Sequence, residues 1–124
     1  VPNDYIDLAQ KVMQFHTHCH RAQVLKPTTL LGLLDSLGAF RQAEKLDLFL
    51  LACEADSKGR LGFENRPYPQ ARLIKQAFMA SKEVTAKEFV EQGITGKKIG
   101  LAIYQKRVNI ISKLIEEGAI NGAG

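Results

Sequence analysis

The sequence predicts an all-α protein, a compact bundle of five or six helices. Three observations carry that prediction. Apolar residues recur three and four apart through most of the chain, and no stretch alternates strictly for long enough to make a strand. Proline and glycine stand where helices begin and end rather than inside the apolar runs. The chain has 124 residues with 45% hydrophobic and 24% charged side chains, enough to bury one core and too little for two.

The first helix is expected over about Asn3 to His18. Asn3 can cap it, Asp4 and Asp7 suit its first turn, and Ile6, Ala9, Val12, Met13 and His16 keep helical spacing. A short second helix follows from Pro27 to Leu37, stopped by Gly38. The third, near Gln42 to Asp56, holds Leu46, Leu48, Phe49, Leu50, Leu51, Ala52 and Cys53. It is apolar on most faces, which predicts a central buried helix. Residues 57–69, SKGRLGFENRPYP, read as an ordered loop anchored by Leu61, Phe63 and Tyr68. A fourth helix runs from Pro69 or Gln70 to about Ser81, with Leu73, Ile74, Ala77 and Phe78 inward. Thr85 and Glu88 have the spacing of a capping box for a fifth helix that packs Phe89 and Val90 and stops at Gly93. The sixth is expected from about Lys97 to Glu117, with Ile99, Ala102, Ile103, Ile110 and Leu114 along its apolar stripe, and the glycine-rich end should fray. Residues 85–124 form a basic helical tail packed on residues 1–84 as one unit.

Composition bounds the function. A net charge of +4 and a pI near 9.2 favour an acidic partner only weakly. No apolar run approaches the length of a membrane span. Cys19 and Cys53 are too few and too far apart for a disulfide scaffold, and read as reduced thiols of a cytoplasmic protein. The first residues resemble no targeting peptide and lack an initiating Met, so a processed chain or a piece of a larger protein is expected.

Three constellations could carry chemistry. All three histidines fall in His16-Thr17-His18-Cys19-His20, and His16 and His20 would share a helix face. They could reach one metal if a remote carboxylate such as Asp56 completed the set; the alternative is a polar surface turn. Glu54 and Asp56 end an apolar helix, where the dipole disfavours negative charge, so cations among Lys58, Arg60, Arg66 and Arg72 are expected nearby. A salt-bridged helix end is the alternative to a metal-binding carboxylate. Finally, Gly93-Ile94-Thr95-Gly96-Lys97-Lys98 resembles the turn of a helix-hairpin-helix, where backbone N–H groups receive a phosphate. From Thr85 to Lys113 there are six Lys or Arg against two Glu. A solvated basic face is the alternative there.

One block resembles a known family. Residues 53–72, CEADSKGRLGFENRPYPQAR, resemble the EAD-x-x-GR-x-GFE…YPQ-x-R stretch of bacterial CCA-adding enzymes, tRNA nucleotidyltransferases of the long type with an appended HD phosphohydrolase domain. Phe15-His16 with His20 resembles the family's FHxxxH segment, and VPNDYIDLA and LLDSLGAFR fit as well. The similarity runs from about Val1 to Leu114.

The resemblance implies a C-terminal portion of such an enzyme: part of the HD domain plus the tail. It implies a parent that adds or repairs the 3′ CCA of tRNA with Mg²⁺, ATP and CTP, and that hydrolyses phosphomonoesters and 2′,3′-cyclic phosphates with Ni²⁺ or another divalent metal. Asp56 and His16 become the candidate metal or phosphate contacts, with His20 behind them. Glu54, Arg60, Glu64 and Arg72 become loop-bracing residues. Gly96, Lys97, Lys98, Lys106 and Arg107 would face tRNA. Thr17 departs from relatives that have Asp there, and the chain has no His-Asp dipeptide and no nucleotidyltransferase head. The chain alone is therefore expected to be inactive. A pure tRNA-binding module and a scaffold, such as a homodimer built on the third helix, are the competing classes.

Overall fold

The computed structural model describes residues 2–59, 62 and 64–118, and side chains from Tyr5 onward. Six α-helices and no strand occur among them: α1 (Pro2–His20), α2 (Pro27–Ser36), α3 (Ala43–Lys58), α4 (Pro69–Ser81), α5 (Ala86–Glu91) and α6 (Lys97–Glu116). A short 3₁₀ turn, Ala22–Val24, joins α1 to α2. Prolines begin α2 and α4 because the first helical N–H has no partner to lose.

Two glycines end helices in the same way. Gly38 follows α2 at φ 72° and Gly93 follows α5 at φ 86°. The Ala39 N–H donates to Leu34 O at 3.1 Å and the Gly38 N–H to Asp35 O at 3.0 Å; after α5 the Ile94 N–H donates to Phe89 O and the Gly93 N–H to Val90 O, both at 3.0 Å. Both are Schellman closures, and each needs the left-handed residue that glycine supplies.

α1 packs chiefly on α3, and α4 lies against both. On the other side α6 covers α2 and α4, and α5 packs on α6. One core runs through all of these except α5, from Cys19 through Leu30, Leu34, Leu46, Phe49, Cys53, Leu73, Ile74 and Phe78 to Ile111.

The structure changes several details of the sequence reading. Leu46, Phe49, Leu50 and Cys53 are buried as expected, but α3 is not enclosed: Leu48 is 51% and Leu51 66% exposed. The most apolar helix is instead α2, which buries Leu30, Leu31, Leu33 and Leu34. The capping box at Thr85 does not form, because Glu88 pairs with Lys106 of α6 instead. Val90 is 55% exposed while Phe89 is buried. α6 turns Ile111 fully inward, a residue absent from the expected stripe. The expected Asn3 cap, the anchors Leu61 and Phe63, and the fraying end lie outside the described side chains or residues.

Candidate functional site

The last turns of α1 and α3 lie side by side, and the segment leading into α4 crosses both. The spacing in α1 sorts its side chains. Cys19 points into the core, His18 turns aside against Phe15, and His16 and His20 stack edge to face with ring centroids 5.8 Å apart. From α3, Cys53 points into the core and Asp56 reaches the surface. Tyr68, held between two prolines, is buried against both helices.

These residues form one row of hydrogen bonds. His20 Nε2 lies 3.0 Å from Asp56 Oδ2, and His20 Nδ1 lies 2.7 Å from the Tyr68 hydroxyl. That hydroxyl is also 3.2 Å from Cys19 Sγ, and Cys53 is buried beside Cys19. A carboxylate can only accept, so His20 carries its proton on Nε2 and, when neutral, accepts on Nδ1 from Tyr68. The Tyr68 oxygen then accepts from the Cys19 thiol. Burial pushes the Tyr68 hydroxyl far above its ordinary range. The neighbouring Cys19, with burial, likewise pushes Cys53 far up, and both stay protonated. The neighbouring Cys53 draws the Cys19 thiol down.

Two contacts fix the frame. Gln70 Nε2 donates at 3.0 Å to the carbonyl of His20, one of the orphan acceptors at the end of α1. His16 Nδ1 donates at 2.9 Å to Val12 O, which leaves His16 Nε2 free to accept. Beside the row opens a cleft of about 720 Å³, whose lining includes His16, Thr17, Arg21, Arg66 and Gln70. Its charged lining is cationic, and the Gln70 Oε1 on its wall is buried without a partner. The cationic side chains suit an anion, while the Gln70 oxygen can only accept from a donor.

Asp56 therefore meets His20 and not His16, which bonds to its own helix. The donor set does not fit a metal ion. Among the described residues no three His, Cys, Asp or Glu side chains converge, and both ring nitrogens of His20 are engaged. Glu54 is held by Lys58 of its own helix at 2.6 Å. Glu64 is exposed and accepts a long bond from the Gly62 N–H, Arg72 is exposed beside Glu54, and Arg60 lies outside the described residues. Sequence reasoning saw Tyr68 only as a loop anchor. The one signal that it does more is a hydroxyl on a residue fixed by proline at both sides.

The basic tail divides. Gly96 precedes α6 at φ 63°, ψ −139°, a conformation open only to glycine, and Lys97 and Lys98 are exposed without an ion pair among the described residues. Arg107 is a correction: it does not face outward. Its guanidinium carbon sits 3.9 Å from the Phe40 ring centroid, Nε donates to Ser81 O at 3.1 Å and Nη2 to Val84 O at 3.2 Å. Burial draws its pKa down, with Asp35 opposing. Arg107 thus ties α6 to the end of α4, and Lys106 is engaged by Glu88. Arg107 is not available as a free phosphate contact, whereas Lys106 stays exposed beside its partner Glu88.

The positions that carry the EAD and FHxxxH patterns thus meet in space, and comparison with known proteins finds similar sequences along most of the chain. A protein of Thioalkalivibrio sulfidiphilus named multifunctional CCA protein is 47% identical over 117 residues, 94% of this chain. In sequence the chain is similar to the multifunctional CCA proteins. Those of Methylococcus capsulatus and Pseudomonas syringae are 46% and 44% identical over 91% and 90% of the chain. The chain spans only 27–29% of the length of these three relatives. No family profile and no solved structure matches it. No described helix is long and apolar enough to cross a membrane.

Proposed function

We propose that this chain is the C-terminal portion of a multifunctional CCA protein. The parent adds or repairs the 3′ CCA of tRNA from CTP and ATP with Mg²⁺, and carries an HD phosphohydrolase that acts with Ni²⁺ or another divalent metal. The chain contributes one wall of the phosphohydrolase site and a basic helical tail. The observation that carries the reading is the Asp56–His20–Tyr68 row beside a cationic cleft, at the positions the resemblance marks.

In this reading the chain's residues bind and orient. Arg21 attracts the phosphate, and the free Nε2 of His16 faces it as a proton acceptor or hydrogen-bond partner. Asp56 and Tyr68 fix the ring and tautomer of His20. The metal ligands lie elsewhere in the parent, and the isolated chain is inactive.

The test uses the full-length parent. His16→Ala and Asp56→Asn should each lower phosphohydrolase kcat/KM by about tenfold or more, the scale of a lost acid–base or orienting group. CCA addition should stay within about twofold of the wild type, a ΔΔG‡ under about 0.5 kcal/mol. Unchanged phosphohydrolase rates in both variants would sink the reading.

The non-catalytic reading, a tRNA-binding module, has one observation in its favour: α6 carries no carboxylate from Lys97 to Ile115. Salt-sensitive tRNA binding by the chain, with no effect of His16→Ala on any activity of the parent, would favour it.

A further inference from the structure

The outer face of the first half of α6 combines features the fold does not use. Tyr104 is 41% and Leu101 60% exposed, although both are large apolar side chains on a well-packed helix. At about 100° per residue, Tyr104, Lys97, Leu101, Gln105 and Lys98 fall within an arc of roughly 120°. The patch is about 12 Å long at the usual helical rise. All five side chains are exposed, and neither lysine has an ion-pair partner among the described residues. Lys106 and Arg107, by contrast, are turned to Glu88 and to Phe40. The charge this face presents to a partner is therefore that of Lys97 and Lys98, and the nearest carboxylate further along α6 is Glu116.

The geometry points to Tyr104 as a stacking platform for an unpaired base of an RNA whose backbone is held by Lys97 and Lys98. The inference rests on the tail's proposed RNA contact and names its mode. Charge complementarity selects the occupant. A protein partner would have to bury two solvated lysines beside a small apolar spot, and lysine is depleted from the dry centres of protein interfaces. A phosphate backbone takes those ammonium groups and leaves the ring for a base, whose π-face stacks without sequence preference. A fully paired helix keeps its bases stacked on each other, so the ring has nothing to meet there. The expected preference is for RNA with at least one unpaired nucleotide.

The experiment measures binding of the chain to a short oligoadenylate and to an RNA duplex of equal length, across a salt series. Tyr104→Ala should weaken oligoadenylate binding by about fivefold or more and leave duplex binding within about twofold. Tyr104→Phe should keep the wild-type affinity, because stacking needs the ring and not the hydroxyl. Tyr104→Leu should fall with the alanine variant. Lys97→Glu with Lys98→Glu should weaken both ligands and flatten the salt slope for the single strand by about 0.7 per lost contact. Tyr104 is exposed, so its variants should keep the wild-type helical circular dichroism. If Tyr104→Ala binds oligoadenylate like the wild type, or Tyr104→Leu does, stacking is wrong while salt-sensitive binding keeps the tail's RNA contact. If the wild type binds neither RNA, or the lysine variant binds both unchanged, the RNA reading of the tail fails with it.

Discussion

The α1–α3 end and the α5–α6 end look alike in sequence, since each is a cluster of polar residues beside apolar helices. They differ in what the fold does with them. At the α1–α3 end, Asp56, His20, Tyr68 and Cys19 satisfy one another in a single row, and only the rim of the cleft is left for a ligand. At the α5–α6 end, Arg107 is consumed by the fold and Lys106 is paired with Glu88, while Lys97 and Lys98 are left to solvent. A charge is available to a partner only when the structure has no use for it, and two basic residues of one helix, Arg107 and Lys98, fall on opposite sides of that line.

The sharpest way to break this contrast is at Arg107. Arg107→Ala leaves two inward carbonyls without their donor and removes a stacked cation, which should cost about 2–4 kcal/mol in urea unfolding. Lys97→Ala and Lys98→Ala should stay within about 0.5 kcal/mol. Equal effects at the three positions would erase the distinction.

Next is Tyr68→Phe, which strips His20 Nδ1 and Cys19 of their shared partner at a cost of about 1–2 kcal/mol. It also has a pH signature. Tyr68 is protonated in the fold well above its ordinary value of 10.0, so its contribution is complete below that value and is lost as pH rises through the folded value. Cys53 acts in the same direction from 9.0 upward. Cys19, drawn down, acts against Cys53, so the contrast rests on Tyr68: Tyr68→Phe should lose less stability than the wild type as pH climbs past about 10. Parallel pH curves for the two proteins would show that the phenol is not linked to folding.

The smallest effect is expected at Ser81. Its hydroxyl is fully buried with no hydrogen-bond partner among the described residues, whereas its carbonyl accepts from Arg107. Ser81→Ala should be neutral or raise stability by up to about 1 kcal/mol, because it removes an unpaired polar group. A loss above about 1 kcal/mol would mean that the hydroxyl is bonded in solution.

Helix positions were legible because local chemistry sets them. Pro27, Pro69, Gly38 and Gly93 act on their own turns, and the bounds of α4 match the expectation closely. Properties settled by distant residues were not legible. The Thr85–Glu88 spacing is correct for a cap, yet the carboxylate is taken by Lys106, 18 positions on. Glu54 and Asp56 stood out as odd helix-end charges, and that signal was sound. Which partner each found depended on packing: Lys58 one turn away for Glu54, and His20 across the bundle for Asp56. Arg107 looked like every other basic residue of the tail because nothing local shows that Phe40 lies beneath it.

The order in which the helices pair has a consequence for how the protein is made. α2 carries the densest run of buried leucines, and the helix that covers it most is α6, at the far end of the chain. As the polypeptide leaves the ribosome, the leucine face of α2 emerges before α3, α4, α5 and α6 and waits for its cover until α6 is synthesised. Nascent chains interrupted before α6 would present that face to the cell as a sticky surface, open to chaperones or to one another.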